Sequence, residues 1–208
     1  MRSTTIWILA ALVVIVGFVW WFLSNDQKEP VPTPSQVETK APGDYFPATV
    51  GSTWTFAGHG NEYAAFTREV LYARGDKVQL QENNGGTISA SVYQISDQAI
   101  TRVFFQGEEY DEQDRLDAEP NESMVILKAP LQAGTTWETG AETRQIVRTD
   151  AEVETPAGKF TDCIEVEITG EYSQRREYFK EGVGLVKREF TSEGTQVISS
   201  LESYAIKE

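Results

Sequence analysis

The residues best equipped for chemistry lie between Gly107 and Ser123. Eight carboxylates (Glu108, Glu109, Asp111, Glu112, Asp114, Asp117, Glu119 and Glu122) face a single base, Arg115. Hard cations want clustered carboxylate oxygens, which makes Asp111, Asp114 and Asp117 candidate calcium ligands. An EF-hand loop starting at Asp111 fails, because Arg115 falls at its fifth position and Leu116 at its sixth, where glycine is required. The competing expectation is a solvated, mobile acidic loop, in which a helical turn over 109–116 can form. Beyond calcium at this loop, no cofactor is expected.

Other chemistry is thin. The one histidine, His59, sits between two glycines, as an exposed turn residue would. A general base there needs a nucleophile and an orienting carboxylate that no motif supplies. The one cysteine, Cys163, lies in a strand-like run with no basic neighbour to lower its pKa, and reads as a small packed residue. Arg175, Arg176, Lys180, Lys187 and Arg188 make the C-terminal part locally basic, and balance Glu165, Glu167 and Glu177 across strands. No phosphate-binding loop, dinucleotide fingerprint, nucleophile elbow or zinc-protease motif occurs. A pair of carboxylates for glycoside hydrolysis stays open, because separation in space is invisible in sequence. No residue is assigned as catalytic.

The elements that position these groups begin with an apolar segment. Ile6 to Leu23 carries no charge, and eighteen residues in a helix reach ~27 Å, enough to span a hydrocarbon core. Arg2 precedes it; Asp26, Lys28 and Glu29 follow; Trp20 and Trp21 mark its far end. These flanks predict an uncleaved, single-pass anchor with residues 1–5 in the cytoplasm and the rest outside. Residues 24–43 contain Pro30, Pro32, Pro34 and Pro42 and read as an extended spacer. Residues 44–208 are long enough for one domain with a real core. The net charge of −14 argues against nucleic acid and anionic membrane surfaces as partners. A single cysteine allows no internal disulfide.

Within the domain one pattern occurs twice. Pro47 to Trp54 and Pro130 to Trp137 both fit Pro-x-x-x-Gly-[Ser/Thr]-Thr-Trp, 83 residues apart. Proline suits a strand edge, Gly51 or Gly134 can take positive φ at a turn, and Trp54 or Trp137 is the first large side chain of the strand that follows. The period predicts two pseudo-repeats, about 44–123 and 124–208. Alternating apolar and polar runs between turn signals predict an all-β fold: an antiparallel meander of about ten strands curled into a barrel, half-barrel or sandwich. One long strand is expected over 62–74, with Phe66, Val70 and Tyr72 on one face. Another is expected over 144–155, with Val147, Thr149, Ala151 and Val153 on one face. In 160–169, Ile164, Val166 and Ile168 alternate with Cys163, Glu165 and Glu167.

Three separated motifs carry a resemblance. They are Tyr45-Phe46-Pro47 with Gly51 and Trp54; Thr155-Pro156-Ala157-Gly158-Lys159-Phe160 with Asp162-Cys163; and Tyr178 with Gly182-Val183-Gly184-Leu185-Val186-Lys187. Over residues 44–191 the chain resembles a group of bacterial extracytoplasmic β-rich proteins, often uncharacterised or lipoprotein-like. The resemblance implies a curled antiparallel sheet akin to the lipoprotein-carrier half-barrel, and brings no activity or catalytic residue. This chain departs from the lipoprotein members in having no cysteine immediately after the apolar segment.

The expectation is therefore a membrane-anchored, extracytoplasmic binding or interaction module of the cell envelope, not an enzyme. Its partner would be an envelope protein. The alternatives are a carrier or sensor of a small apolar ligand held in the curled sheet, and a carboxylate-dependent envelope hydrolase.

Overall fold

Short alternating runs, cut by turns rich in Gly, Asn and Pro, build twelve strands in residues 40–208, the part of the chain that the computed structural model describes. The first six are β1 (Thr53–His59), β2 (Phe66–Arg74), β3 (Lys77–Asn83), β4 (Ile88–Ile95), β5 (Ala99–Gly107) and β6 (Met124–Lys128). The second six are β7 (Thr136–Thr139), β8 (Glu142–Thr155), β9 (Gly158–Thr169), β10 (Gln174–Lys180), β11 (Gly184–Ser192) and β12 (Thr195–Ala205). Each pairs antiparallel with its neighbours in one sheet of order β6-β5-β4-β3-β2-β1-β12-β11-β10-β9-β8-β7. The chain runs outward from β1 to one edge, restarts at the other edge with β7, and returns to close β12 on β1.

The two edges meet, so the sheet is a nearly closed barrel of all-β architecture. They meet through side chains. Trp137 Nε1 on β7 donates to the Val125 carbonyl on β6 at 3.0 Å. The Val125 amide donates to Thr139 Oγ1 at 3.0 Å. A sheet edge otherwise leaves such groups unpaired, and these bonds satisfy part of the β6 edge.

The two copies of the sequence pattern take the same local path. Gly51 (φ 82°) donates its amide to Val70 O, and Val70 returns an amide bond to Ser52 O. Gly134 (φ 93°) donates to Ile146 O, and Ile146 returns to Thr135 O. In each copy the hydroxyl residue after the glycine also closes a turn, Ser52 onto Thr49 O and Thr135 onto Gln132 O. Positive φ explains glycine at both positions. Trp54 and Trp137 are both buried at 5% exposure.

The core occupies the barrel interior, built from Phe56, Val70, Leu80, Ile100, Leu127, Ile146, Ile164, Val166, Ile168 and Leu201 among others. Fully burying each such side chain contributes about 1.5–3 kcal/mol. A 3-10 turn, Pro42–Tyr45, packs against β5 and β11, which lie on different parts of the wall. It buries Tyr45 and Phe46, and the Phe46 ring lies 4.8 Å from that of Tyr93.

Two expected strand faces are corrected by β-bulges. The strand β2 starts at Phe66, and a bulge between Val70 and Tyr72 turns Tyr72 away from the Phe66–Val70 core face. Tyr72 packs instead on a second, outer cluster of Val92, Phe104 and Leu116. In β8, irregularities at Ile146/Arg148 and Arg148/Ala151 shift the alternation, so that Arg144, Ile146, Ala151 and Val153 are buried while Thr149 is exposed. An extra residue in one strand flips the parity of everything beyond it. In β9, Ile164, Val166 and Ile168 face the core as expected, and Cys163 is fully buried with them.

The acidic run is an irregular loop with most of its residues exposed. No helical turn forms over 109–116. The segment is tied down on the outer face of the sheet: Leu116 is buried, and the Gln79 side chain donates to Gln113 O and accepts from the Arg115 amide. Arg115 pairs with buried Glu109 at 2.8 Å, and Asn121 bonds both the amide and the carbonyl of Phe105. A charged loop with these apolar and amide anchors is held in place despite its composition.

The expected anchor, Ile6 to Leu23, lies outside the described residues, as does most of the spacer. Among the described residues no helix is long and apolar enough to cross a membrane.

A charged cavity inside the barrel

Strand parity places charge as well as apolar groups on the inner face. Arg68 shares the parity of Phe66 and Val70 in β2; Arg175 and Glu177 share that of Phe179 in β10. With Glu82 of β3, Arg102 of β5, Arg144 of β8 and Arg188 of β11, they line a cavity of about 200 Å³. Its apolar wall is Phe46, Tyr93, Met124, Ile126, Phe179 and Leu185. Met124 and Ile126 belong to β6, so the cavity lies against the seam with β7.

Most of these charges are paired. Arg68 meets Glu82 at 2.6 Å, and its Nε also reaches the same oxygen at 3.1 Å. Arg102 pairs with Glu122, and Arg175 with Glu142. Arg188 Nε meets Glu177 at 3.2 Å, a cross-strand pair in register between β11 and β10. Burial alone would push the Glu82 carboxyl up, but Arg68, Arg188 and Arg102 outweigh it and hold the group below the ordinary carboxylate range. Burial also opposes ionisation of Glu177, and Arg144, Arg188, Arg175 and Arg68 together overcome it and lower its pKa. Both carboxylates are therefore held charged.

Arg144 is the exception. Its side chain is 3% exposed, yet its nearest acceptors are long: Glu177 Oε2 and Ile126 O at 3.4 Å from Nη1. Nη2 lies 3.8 Å from Glu142 Oε2 and 3.9 Å from Met124 Sδ. Its Nε has no hydrogen-bond partner among the described residues. A guanidinium carries five N–H donors, and a buried one left this loosely held is costly.

The residues singled out from sequence fall elsewhere. Asp114 caps the Leu116 amide and, with Asp117, faces Arg74 at 4.0 and 2.7 Å; Asp111 is exposed. Among the described residues no three His, Cys, Asp or Glu side chains are gathered to hold a metal. His59 is exposed at the end of β1. Cys163 is fully buried, and burial pushes its thiol up to about 11. Arg176 balances Glu165 and Glu167 across strands as expected, at 3.7 and 3.1 Å.

The motif residues act as locks. Trp54 Nε1 donates to Val183 O at 2.7 Å, between Gly182 and Gly184. The Gly182 amide bonds Asp44 O, and a side chain at Gly184 would press on Pro47. Pro130 follows a cis peptide in the β6–β7 turn, and its carbonyl accepts from Thr135 Oγ1. Gly158 takes φ 132° in the β8–β9 hairpin, whose Ala157 amide bonds Leu201 O, and Phe160 tilts against Tyr204.

Sequence reasoning missed the cavity. Its signal was available in parity: an arginine in step with Phe66 and Val70, and an arginine and a glutamate in step with Phe179, must point inward if those strands are half-buried.

No protein-family model matches the chain, and no curated protein matches it. Two solved structures resemble it. One is a protein from Bacteroides fragilis NCTC 9343 provisionally described as exported and as having a YmcC-like fold; it is 17% identical, with a TM-score of 0.49, over 77% of this chain and 98% of that one. The other, from Parabacteroides distasonis ATCC 8503, is provisionally described as a lipoprotein; it is 16% identical, with a TM-score of 0.45, over the same shares. Likeness at this level ties neither protein's role to this chain.

Proposed function

We propose that the chain is a membrane-anchored, extracytoplasmic binding module of the cell envelope, non-enzymatic, whose binding site is the charged cavity inside the barrel. The observation that carries this reading is the cavity itself: about 200 Å³ walled by five arginines, two glutamates and a half-shell of apolar side chains. Concave sites with a few convergent polar groups among apolar ones are where small ligands bind. The anchor and the outside location rest on the uncharged stretch Ile6 to Leu23 and its flanks.

The two alternatives suit this interior less well. An acyl chain would have to lie among guanidinium groups and leave their charge unmatched. A glycoside hydrolase needs one carboxyl kept protonated as general acid, with a raised pKa. Glu82 and Glu177 are both lowered by arginines.

The test is a ligand-observed NMR screen of small polar and charged compounds on the full chain in detergent. It is repeated on Ile126→Trp and Met124→Phe, each of which fills the cavity from β6. Compounds that bind the native chain and fail on both filled variants are expected. No binders, or binders indifferent to filling, would overturn the reading.

A further inference from the structure

Resting on that reading, we infer that the ligand is a small organic monocarboxylate: one carboxylate on a compact apolar body, seated with its carboxylate on Arg144. Charge is the first observation. Five guanidinium groups line the cavity, and the carboxylates that pair with them are Glu82, Glu122, Glu142 and Glu177. One positive charge is left in excess, enough for a monoanion.

The under-satisfied arginine is the second. The other four cavity arginines each hold a carboxylate at 3.2 Å or closer. Arg144 has nothing nearer than 3.4 Å, its Nε is buried and unpartnered among the described residues, and the Glu142 Oε2 that lies 3.8 Å from its Nη2 is unpartnered too. A planar carboxylate matches the guanidinium fork with two parallel bonds and would give Nη1 and Nη2 closer partners than the contacts at 3.4 and 3.8 Å that they now have.

The third observation is the mixed wall. Beside Arg144 stand Met124 and Ile126, and Phe179 and Leu185 close the same space. An inorganic oxyanion would leave that apolar surface unused, whereas an aromatic or branched aliphatic acid covers it. Two of the lining side chains, Arg175 and Arg188, keep 29% and 32% of their surface accessible.

The experiment is isothermal titration calorimetry of the full chain in detergent with benzoate, its neutral isostere benzamide, and inorganic phosphate. Benzoate should bind at least about tenfold more tightly than benzamide, the ratio that one charge-assisted contact of about 1.4 kcal/mol gives. Phosphate should bind more weakly than benzoate. In Arg144→Met, benzoate should lose at least about tenfold while benzamide is unchanged. This variant should fold, since Glu177 keeps Arg188 and Glu142 keeps Arg175. Arg144→Lys, which keeps the charge and loses the fork, provides a second variant and should fall between the two. Benzamide binding as tightly as benzoate, phosphate binding more tightly, or benzoate indifferent to both substitutions would each overturn the monocarboxylate assignment. The cavity as a binding site fails separately, if no compound of any charge is displaced by filling it.

Discussion

The barrel is closed twice, by different means. Between β1 and β12 the backbones pair over seven positions, from Thr53↔Ala205 to His59↔Ile198, with one bulge. Between β6 and β7 the stitching is by side chains: the Trp137 indole and the Thr139 hydroxyl on Val125, with the Arg144 guanidinium from β8 reaching Ile126 O. A backbone ladder is indifferent to most side-chain identities, because its donors and acceptors belong to every residue. A side-chain seam depends on a few residues and can be weakened one bond at a time. The cavity borders the second junction.

The contrast predicts where single substitutions matter. Trp137→Ala should have the largest effect, about 3–5 kcal/mol by chemical denaturation, since it removes a buried indole and one of the few ties of the seam. Leu201→Ala, at the laddered junction, should cost about 2–5 kcal/mol through its cavity alone while leaving the β1–β12 pairing in place. If Trp137→Ala costs no more than a surface substitution, the seam is not held as described.

Acid should act through the carboxylates of the cavity. Glu82 and Glu177 have lowered folded-state pKa values against a reference of 4.5. Their contribution to stability is therefore fully present above about pH 4.5 and is lost as pH falls through the lowered values. Denaturation midpoints measured down the acid range should fall below pH 4.5, and Glu177→Gln should flatten that fall. An acid profile unchanged by the substitution would show that the arginines do not hold this carboxylate charged.

Finer cuts sharpen the comparison. Trp137→Phe keeps the ring and drops its bond to Val125 O, with an expected loss of about 1 kcal/mol. Trp54→Phe drops the bond to Val183 O at similar cost, but only the first should loosen β6, read as faster proteolysis near the β6–β7 turn. Thr139→Val leaves the half-buried Val125 amide without its acceptor, at a comparable cost of about 1 kcal/mol.

Much of the architecture was legible in the chain. The meander and the inward set of β9 follow from period-two alternation and glycine placement. The equal turns at Gly51 and Gly134 follow from the repeated pattern. What misled was parity across bulges: one extra residue at Leu71 or after Ile146 reverses the faces, and no residue type marks it. Composition misled at the acidic run, where Leu116 and the reach of Gln79 from another strand count for more than the surrounding charges. The cavity was hidden because cross-strand ion pairing explains Arg188 and Glu177 equally well whether they face solvent or the interior. Register decides the partner; only the closed wall decides the side.

Native-state hydrogen exchange tests the unequal closure most directly. The amides of β6 and β7 should open at markedly lower free energy than those of β1 and β12, which should exchange only with global unfolding. Equal protection at the two junctions would contradict the account.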